Sequence, residues 1–259
     1  MEQSVENNSD FDFLIKLLTL GDSNVGKTSL LYRYTDNGFN RKFITTVGVD
    51  FRQKRIVYPK ESDDKESILS QPNTLQIQLW DTAGQERYRS LTVAFFRDAM
   101  GFILVFDLTC EQSFLHVQNW LELLQSYAYC ERPDTVLVGN KLDIIQAQDE
   151  VEQNRAIPYE KALNLAKELG IPYIEASAKT GHNVDLIINT LVSMVMKRIE
   201  RAYLNNNDLA NNKETIFPFD NFPIKRFLNN EKTLRALNTS RAFSFSSSSS
   251  RIYNEQCNC

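Results

Sequence analysis

The chain of 259 residues holds only four cysteines and two histidines. Cys110 and Cys130 lie in its body and Cys257 and Cys259 at its far end. That is too few and too scattered for a disulfide scaffold, and points to a reducing cytosol. His116 and His182 have neither a nearby cysteine nor a paired histidine, which argues against a zinc site. Cationic charge is also scarce: 29 Lys and Arg against 33 Asp and Glu leave a formal net charge of −4. Non-specific nucleic-acid binding needs the opposite balance, so no nucleic-acid partner is expected. No apolar run is long. FDFLIKLLTLG falls well short of the about 20 apolar residues of a membrane span, and no positively charged, apolar leader marks a signal peptide. What is present is a globular composition, 42% hydrophobic, enough to bury a core in a soluble body.

Strand and helix patterns alternate along that body. FLIKLLTLG (Phe13 to Gly21) is an apolar run closed by glycine, followed at once by a helical pattern from Gly26 to about Tyr34. GVDFRQKRIVY and TLQIQLW read as strands, the second with Leu75, Ile77 and Leu79 alternating against Gln76 and Gln78. Between them PKESDDKESILSQPN, residues 59–73, reads as a polar loop. GFILVFDLT and DTVLVGN are nearly continuous apolar runs, as expected of strands buried on both faces of a parallel sheet. IPYIEAS adds a short strand, and helices are predicted over Glu111 to Tyr127, Tyr159 to Leu169 and Val184 to about Tyr203. This order predicts a doubly wound α/β fold: a mostly parallel six-stranded sheet with helices on both faces.

After about Leu204 the composition changes to NNNDLANNK and FSFSSSSS, low-complexity stretches that cannot offset their ordering entropy by burial. Residues 1–11 are therefore expected to be an N-terminal extension, 12–204 a single domain, and 205–259 a disordered tail. Within the tail, Ile224, Phe227 and Leu228 could line a short amphipathic face.

Chemistry concentrates in the loops. GDSNVGKTS follows the first strand and opens the first helix, matching G-x-x-x-x-G-K-[ST] in its required context. Gly21 and Gly26 let the backbone wrap so that N–H groups of Asp22, Ser23, Asn24, Val25, Gly26 and the helix start face phosphate oxygens. Lys27 is placed to reach the β- and γ-phosphates, the Thr28 hydroxyl to ligate Mg²⁺, and Ser29 follows inside the same turn. Asn24 stands where a left-handed backbone is expected, which asparagine tolerates. A glycine turn with a chance GKT is the bland alternative, disfavoured by the strand–loop–helix context.

The base is read elsewhere. NKLD closes the DTVLVG strand, at the edge where open α/β sheets bind ligands. An ionised Asp143 is acceptor-only, so it can take the guanine ring N–H and exocyclic amine together; adenine lacks that donor pair. Asn140, Lys141 and the SAK run (Ser177, Ala178, Lys179) complete the predicted base pocket. In WDTAGQE, Asp81 is placed to hold Mg²⁺ through water, the Gly84 N–H to meet the γ-phosphate, and Gln85 to orient the attacking water. Thr46, in TTVGVDF, supplies a second hydroxyl for the metal when γ-phosphate is present.

Together these elements resemble the Ras superfamily of small GTPases, with its P-loop G domain. VGVDF, WDTAGQERYRS and LVFDLT look like the Rab branch, over about residues 12–203. The resemblance implies that Phe39 lies beside the guanine, that Thr46 belongs to the first switch, and that the second switch runs from Gly84 to about Arg97. It also implies that Phe51, Trp80 and Phe95 form the aromatic triad presented to effectors; without the family they would read as core. KFITTVGVDFRQKR and AFFRDAMGF are similar to the Rab twenty-seven subfamily, associated with secretory granules and lysosome-related organelles. The loop at 59–73, the EASAKTG base motif and the long Ser-rich tail depart from that subfamily.

The implied function is a GTP-switched regulator of vesicle traffic, with Mg²⁺ and GTP or GDP bound. Its implied partners are effectors, a GTPase-activating protein, an exchange factor, a prenylation escort, a GDP-dissociation inhibitor and a membrane. It would cycle between cytosol and the cytoplasmic face of vesicle or granule membranes. A P-loop kinase or ATPase is the first rival, disfavoured by NKLD and SAK. A scaffold that holds GTP without turnover is the second, disfavoured by Thr46, Asp81 and Gln85. Cys257 and Cys259, in NEQCNC, could be metal ligands, part of a disulfide network, chance surface thiols or an anchor. Read with the family, they are similar to the doubly geranylgeranylated ends of Rabs.

Overall fold

The structure, a computed structural model, describes residues 11–40, 46, 48–58, 72–84, 94–128, 133–146 and 155–209. Among these are six strands: β1 Phe13–Leu20, β2 Val49–Tyr58, β3 Asn73–Thr82, β4 Gly101–Asp107, β5 Asp134–Asn140 and β6 Tyr173–Glu175. The helices among the described residues are α1 Lys27–Asp36, α2 Glu111–Leu115, α3 Val117–Tyr127, α4 Leu142–Gln146, α5 Tyr159–Leu169 and α6 Val184–Leu209, with a 3-10 turn at Phe96–Asp98. One six-stranded sheet has the order β2-β3-β1-β4-β5-β6. β4 pairs in parallel with β1 (Leu17 opposite Gly101) and with β5 (Gly101 opposite Asp134), and β5 pairs in parallel with β6.

The chain divides into two units. The larger comprises Ile15–Lys54 and Ile77–Phe222. Within it every residue of β4 is buried, and the period of two divides them between the faces. Phe102, Leu104 and Phe106 join Phe114, Trp120 and Leu124 of α2 and α3, and Ala162 and Ala166 of α5, in one cluster. Phe106 meets Phe114 edge-on, ring centroids 5.0 Å apart. At the start of β4, Gly101 lies so near the Leu191 side chain of α6 that a Cβ there would come within 2.9 Å of it. The smaller unit comprises Met1–Leu14, Arg55–Gln76 and Pro223–Cys259. In it the Asp12 N–H donates to the Thr74 carbonyl at 2.7 Å, and Arg55 Nε donates to Gln76 Oε1 at 2.9 Å.

Helix limits follow local rules. α1 ends where Asn37 turns left-handed (φ 52°) and its N–H caps the Arg33 carbonyl. α5 starts after Pro158 and stops at Gly170, also left-handed. Two helix limits differ from the sequence reading. The helix predicted over Glu111–Tyr127 breaks at His116, whose ψ of −9° ends one helical run before the next begins. α6 continues to Leu209, beyond the Tyr203 expected from its apolar stripe. Once nucleated, a helix gains a backbone bond for each residue added, so the end of the stripe does not end the helix. Residues 59–71, Gln85 and the rest of the second switch up to residue 93, Cys130 and everything after Leu209 lie outside the described residues.

Candidate functional site

The site is built at the carboxyl edge of β1, β3 and β5. At the end of β1 the chain turns through Gly21 (φ 136°), where any Cβ would run into the Val105 carbonyl oxygen. Asn24 adopts the left-handed conformation expected of it (φ 66°). Gly26 (φ 96°) leads into α1, whose N-terminus has no side-chain cap and whose first-turn N–H groups find no partner within the helix. Lys27, 5% exposed, folds back over this loop. Its Nζ donates to the Gly21 carbonyl at 2.8 Å and the Asp22 carbonyl at 2.7 Å. Burial brings its pKa from the ordinary 10.5 down to about 8, with Asp81 and Asp22 opposing. An ammonium withdrawn from water in this way is poised for anionic oxygens.

Beside it, three oxygen-bearing side chains converge from different segments. Asp81, 1% exposed at the end of β3, accepts from Thr28 Oγ1 at 2.5 Å and Thr46 Oγ1 at 3.3 Å through one oxygen. Its other oxygen accepts from Thr19 at 3.3 Å. The Thr28 and Thr46 hydroxyls lie 2.9 Å apart. Burial pushes the Asp81 carboxyl up, while the hydrogen bonds from Thr28, Thr46 and Thr19 and the charge on Lys27 pull it down. Hard oxygens in this number suit Mg²⁺, which binds one or two protein oxygens alongside substrate phosphates and water. The residues present fit that ion. Gly84 follows on β3's exit with its Cα against the P-loop: a Cβ there would collide with the backbone of Asp22 and Ser23.

The far end of the site is held by Asn140. This amide, 1% exposed, donates through Nδ2 to the Val25 carbonyl at 2.8 Å. Through Oδ1 it accepts from the Ala178 N–H at 3.2 Å. Asp143, in the first turn of α4, accepts from Ser177 Oγ at 2.6 Å, and its second oxygen lies 3.2 Å from Lys179 Nζ. Lys141 takes a left-handed backbone (φ 69°) and its ammonium pairs with Asp107 at 2.7 Å. Phe39 lies half-buried two residues beyond the Asn37 cap, and Ser29 is half-buried in the first turn of α1. The P-loop, Thr46, Asp81, Gly84, NKLD and SAK residues singled out in the sequence thus gather around one loop; Gln85 lies outside the described residues.

Two contacts had no sequence signal. Asp22 accepts from Trp120 Nε1 at 2.9 Å, and His116 Nδ1 lies 2.5 Å from its other oxygen. His116 in turn sits 2.7 Å from Gln112 Nε2. The outer P-loop is therefore tied to α3 by residues more than ninety positions away.

On a separate surface Phe51, Trp80 and Phe95 pack in a row, their rings tilted against one another with centroids 4.9 and 5.0 Å apart. Phe51 is 37% exposed, while Trp80 and Phe95 are half-buried against the core. Lys16 Nζ lies 4.7 Å from the Trp80 ring centroid, and burial lowers the lysine's pKa against the pull of Asp98. Trp80 Nε1 is buried and meets no hydrogen-bond partner among the described residues.

The Ras family model matches residues 16–197 of this chain. The chain is 57% identical to Ras-related protein Rab-27A of Sus scrofa over 196 residues, covering 76% of this chain and 85% of that protein. It is 58% identical to Ras-related protein Rab-27B of Rattus norvegicus over 193 residues, covering 74% and 84%. Human Rab-27A is 56% identical over 196 residues, with 76% and 85% covered.

Proposed function

We propose that this chain, which belongs to the Ras family and is a Rab-type small GTPase of vesicle trafficking that hydrolyses GTP to GDP, does so in the site around its P-loop and serves granule docking and exocytosis. One observation carries the reading: Lys27, the Thr28–Thr46–Asp81 oxygens and the Asn140–Asp143–Ser177 group, from separate segments, converge on one glycine loop.

In this reading the P-loop N–H groups and Lys27 take the β- and γ-phosphates, and Asp143 takes the guanine N–H and amine. Thr28 and Thr46 would hold Mg²⁺, with Asp81 behind them, and the ion would supply charge neutralisation for the phosphates. Gln85 orients a water that attacks the γ-phosphorus. The bond to the bridging oxygen breaks, and GDP leaves with that oxygen. Intrinsic turnover in this reading is on the order of 10⁻⁴ s⁻¹, as for related GTPases without an arginine finger in cis, and an activating partner supplies the missing charge. Thr46 and Gly84 order the two switches while γ-phosphate is held, and the Phe51–Trp80–Phe95 surface then meets effectors. An exchange factor and a GDP-dissociation inhibitor complete the cycle.

Single-turnover hydrolysis with GTP and ATP side by side tests this. GTP is expected to bind in preference and to be hydrolysed, and Gln85→Leu to lengthen the GTP-bound lifetime. A preference for ATP would overturn the base pocket. A Gln85→Leu rate equal to wild type, both alone and with an activating protein, would remove Gln85 from catalysis.

Among the described residues no helix is long and apolar enough to cross a membrane. Membrane attachment in this reading runs through lipids on Cys257 and Cys259, since two chains anchor stably where one is marginal. The tail would reach about 40 Å as a flexible tether. Replacing both cysteines by serine is expected to leave GTP binding intact and shift the protein to the cytosolic fraction. Continued membrane association of that double variant would rule out the anchor.

A further inference from the structure

Arg33, near the end of α1, donates from each of its three guanidinium nitrogens to a main-chain carbonyl. Nε donates to the Ala178 carbonyl at 2.9 Å and Nη2 to the Lys179 carbonyl at 2.5 Å, both in the loop after β6. Nη1 donates to the Asn37 carbonyl at 2.9 Å. Asn37 in turn caps the Arg33 carbonyl with its own N–H at 3.1 Å. Gly181, left-handed at φ 88°, closes behind: a Cβ there would meet Arg33 Cδ at 3.6 Å. Each of these positions has chemistry next to it. Ala178 is the residue whose N–H is fixed by Asn140, and its neighbour Ser177 holds Asp143. Asn37 is where the chain leaves α1 for Phe39 and the first switch.

We infer that Arg33 is a positioning residue for nucleotide retention, clamping the base loop to the end of α1 so that the guanine pocket and the Phe39 segment open together. The inference rests on the guanine-nucleotide reading above. The planar fork is what does this: three carbonyls in different directions match guanidinium geometry, whereas a lysine ammonium on a flexible stem cannot serve all three. Helix-dipole stabilisation alone would need only positive charge near the α1 C-terminus and would not involve residues 178 and 179.

The test is release of a fluorescent GDP analogue from the full-length protein, chased with unlabelled GDP in the presence of Mg²⁺. Arg33→Ala is expected to release it about tenfold faster, three charge-assisted bonds having been lost. Arg33→Lys should fall between the two. Association of the analogue should change far less than release, because the clamp acts after the base is seated. A purely structural role would instead lower the melting temperature and leave release at the wild-type rate, which would overturn the inference. Where Arg33→Ala does not fold, Arg33→Lys decides: release faster by about threefold supports the clamp, and a wild-type rate overturns it. Wild-type protein that retained no GDP would overturn the guanine reading and this inference with it; wild-type retention with unaltered variants overturns the inference alone.

Discussion

Asp143→Asn is expected to turn guanine from the favoured base into a rejected one, lowering GDP affinity by about a thousandfold, and to admit xanthine in its place. The carboxylate offers only acceptors, and the structure holds it in place through Ser177 on one oxygen and Lys179 on the other. It is largely buried, with its side chain 11% exposed. An asparagine in that position keeps one acceptor and gains an amide donor. Guanine would bring its exocyclic amine against that donor, and two donors facing each other in a sheltered site leave both unsatisfied. Xanthine carries a carbonyl at the same ring position and accepts from the amide. Equilibrium binding of GDP and XDP to both proteins checks the swap. A variant holding GDP within tenfold of wild type, or gaining nothing for XDP, would show that Asp143 does not read the base.

Lys27→Met should be equally severe. It keeps most of the apolar stem while removing the charge, and is expected to weaken GTP and GDP binding by about a thousandfold, as for loss of one partner from a buried charge pair. The wild-type protein adds a pH signature that the variant must lack. Without ligand, the buried ammonium titrates near pH 8 rather than 10.5. Between those values the folded state binds fewer protons at this group than the unfolded state does. Stability of the nucleotide-free protein therefore gains from Lys27 as pH rises through that window. Phosphate oxygens favour the charged form, so nucleotide binding there should draw in a proton. Binding enthalpies at pH 9, measured in buffers of different ionisation heat, report that uptake directly. Observed enthalpies that are the same in every buffer, or a Lys27→Met protein that binds normally, would separate Lys27 from the phosphates.

How much of this was legible in the sequence depended on how local the cause was. The β5 span Asp134–Asn140 coincided with DTVLVGN because a strand buried on both faces leaves an unbroken apolar run. Asn24's left-handed backbone was legible because the residue type and the loop context agree. The break at His116 was not, since nothing in CEQSFLHVQNW disfavours one continuous helix. Nor was the capture of Asp22 by Trp120 and His116, a contact between segments that only the folded sheet brings together. Phe51, Trp80 and Phe95 were ambiguous for a physical reason: their row of rings is at once part of the core's rim and open to solvent at Phe51. Arg33 carried no signal of its own in the sequence, because its three carbonyl partners lie on backbone that no side-chain pattern reveals.

One consequence of Asn140 reaches the kinetics of release. Its single amide bridges Val25, on the phosphate side, and Ala178, on the base side. In the proposed reading, a nucleotide seated between them would loosen at both ends together, because the same buried group keeps both loops in register. Its exit would then be a concerted event. A protein that levered at either loop would strain the other without touching it, so two unrelated lever points on the surface would give the same outcome.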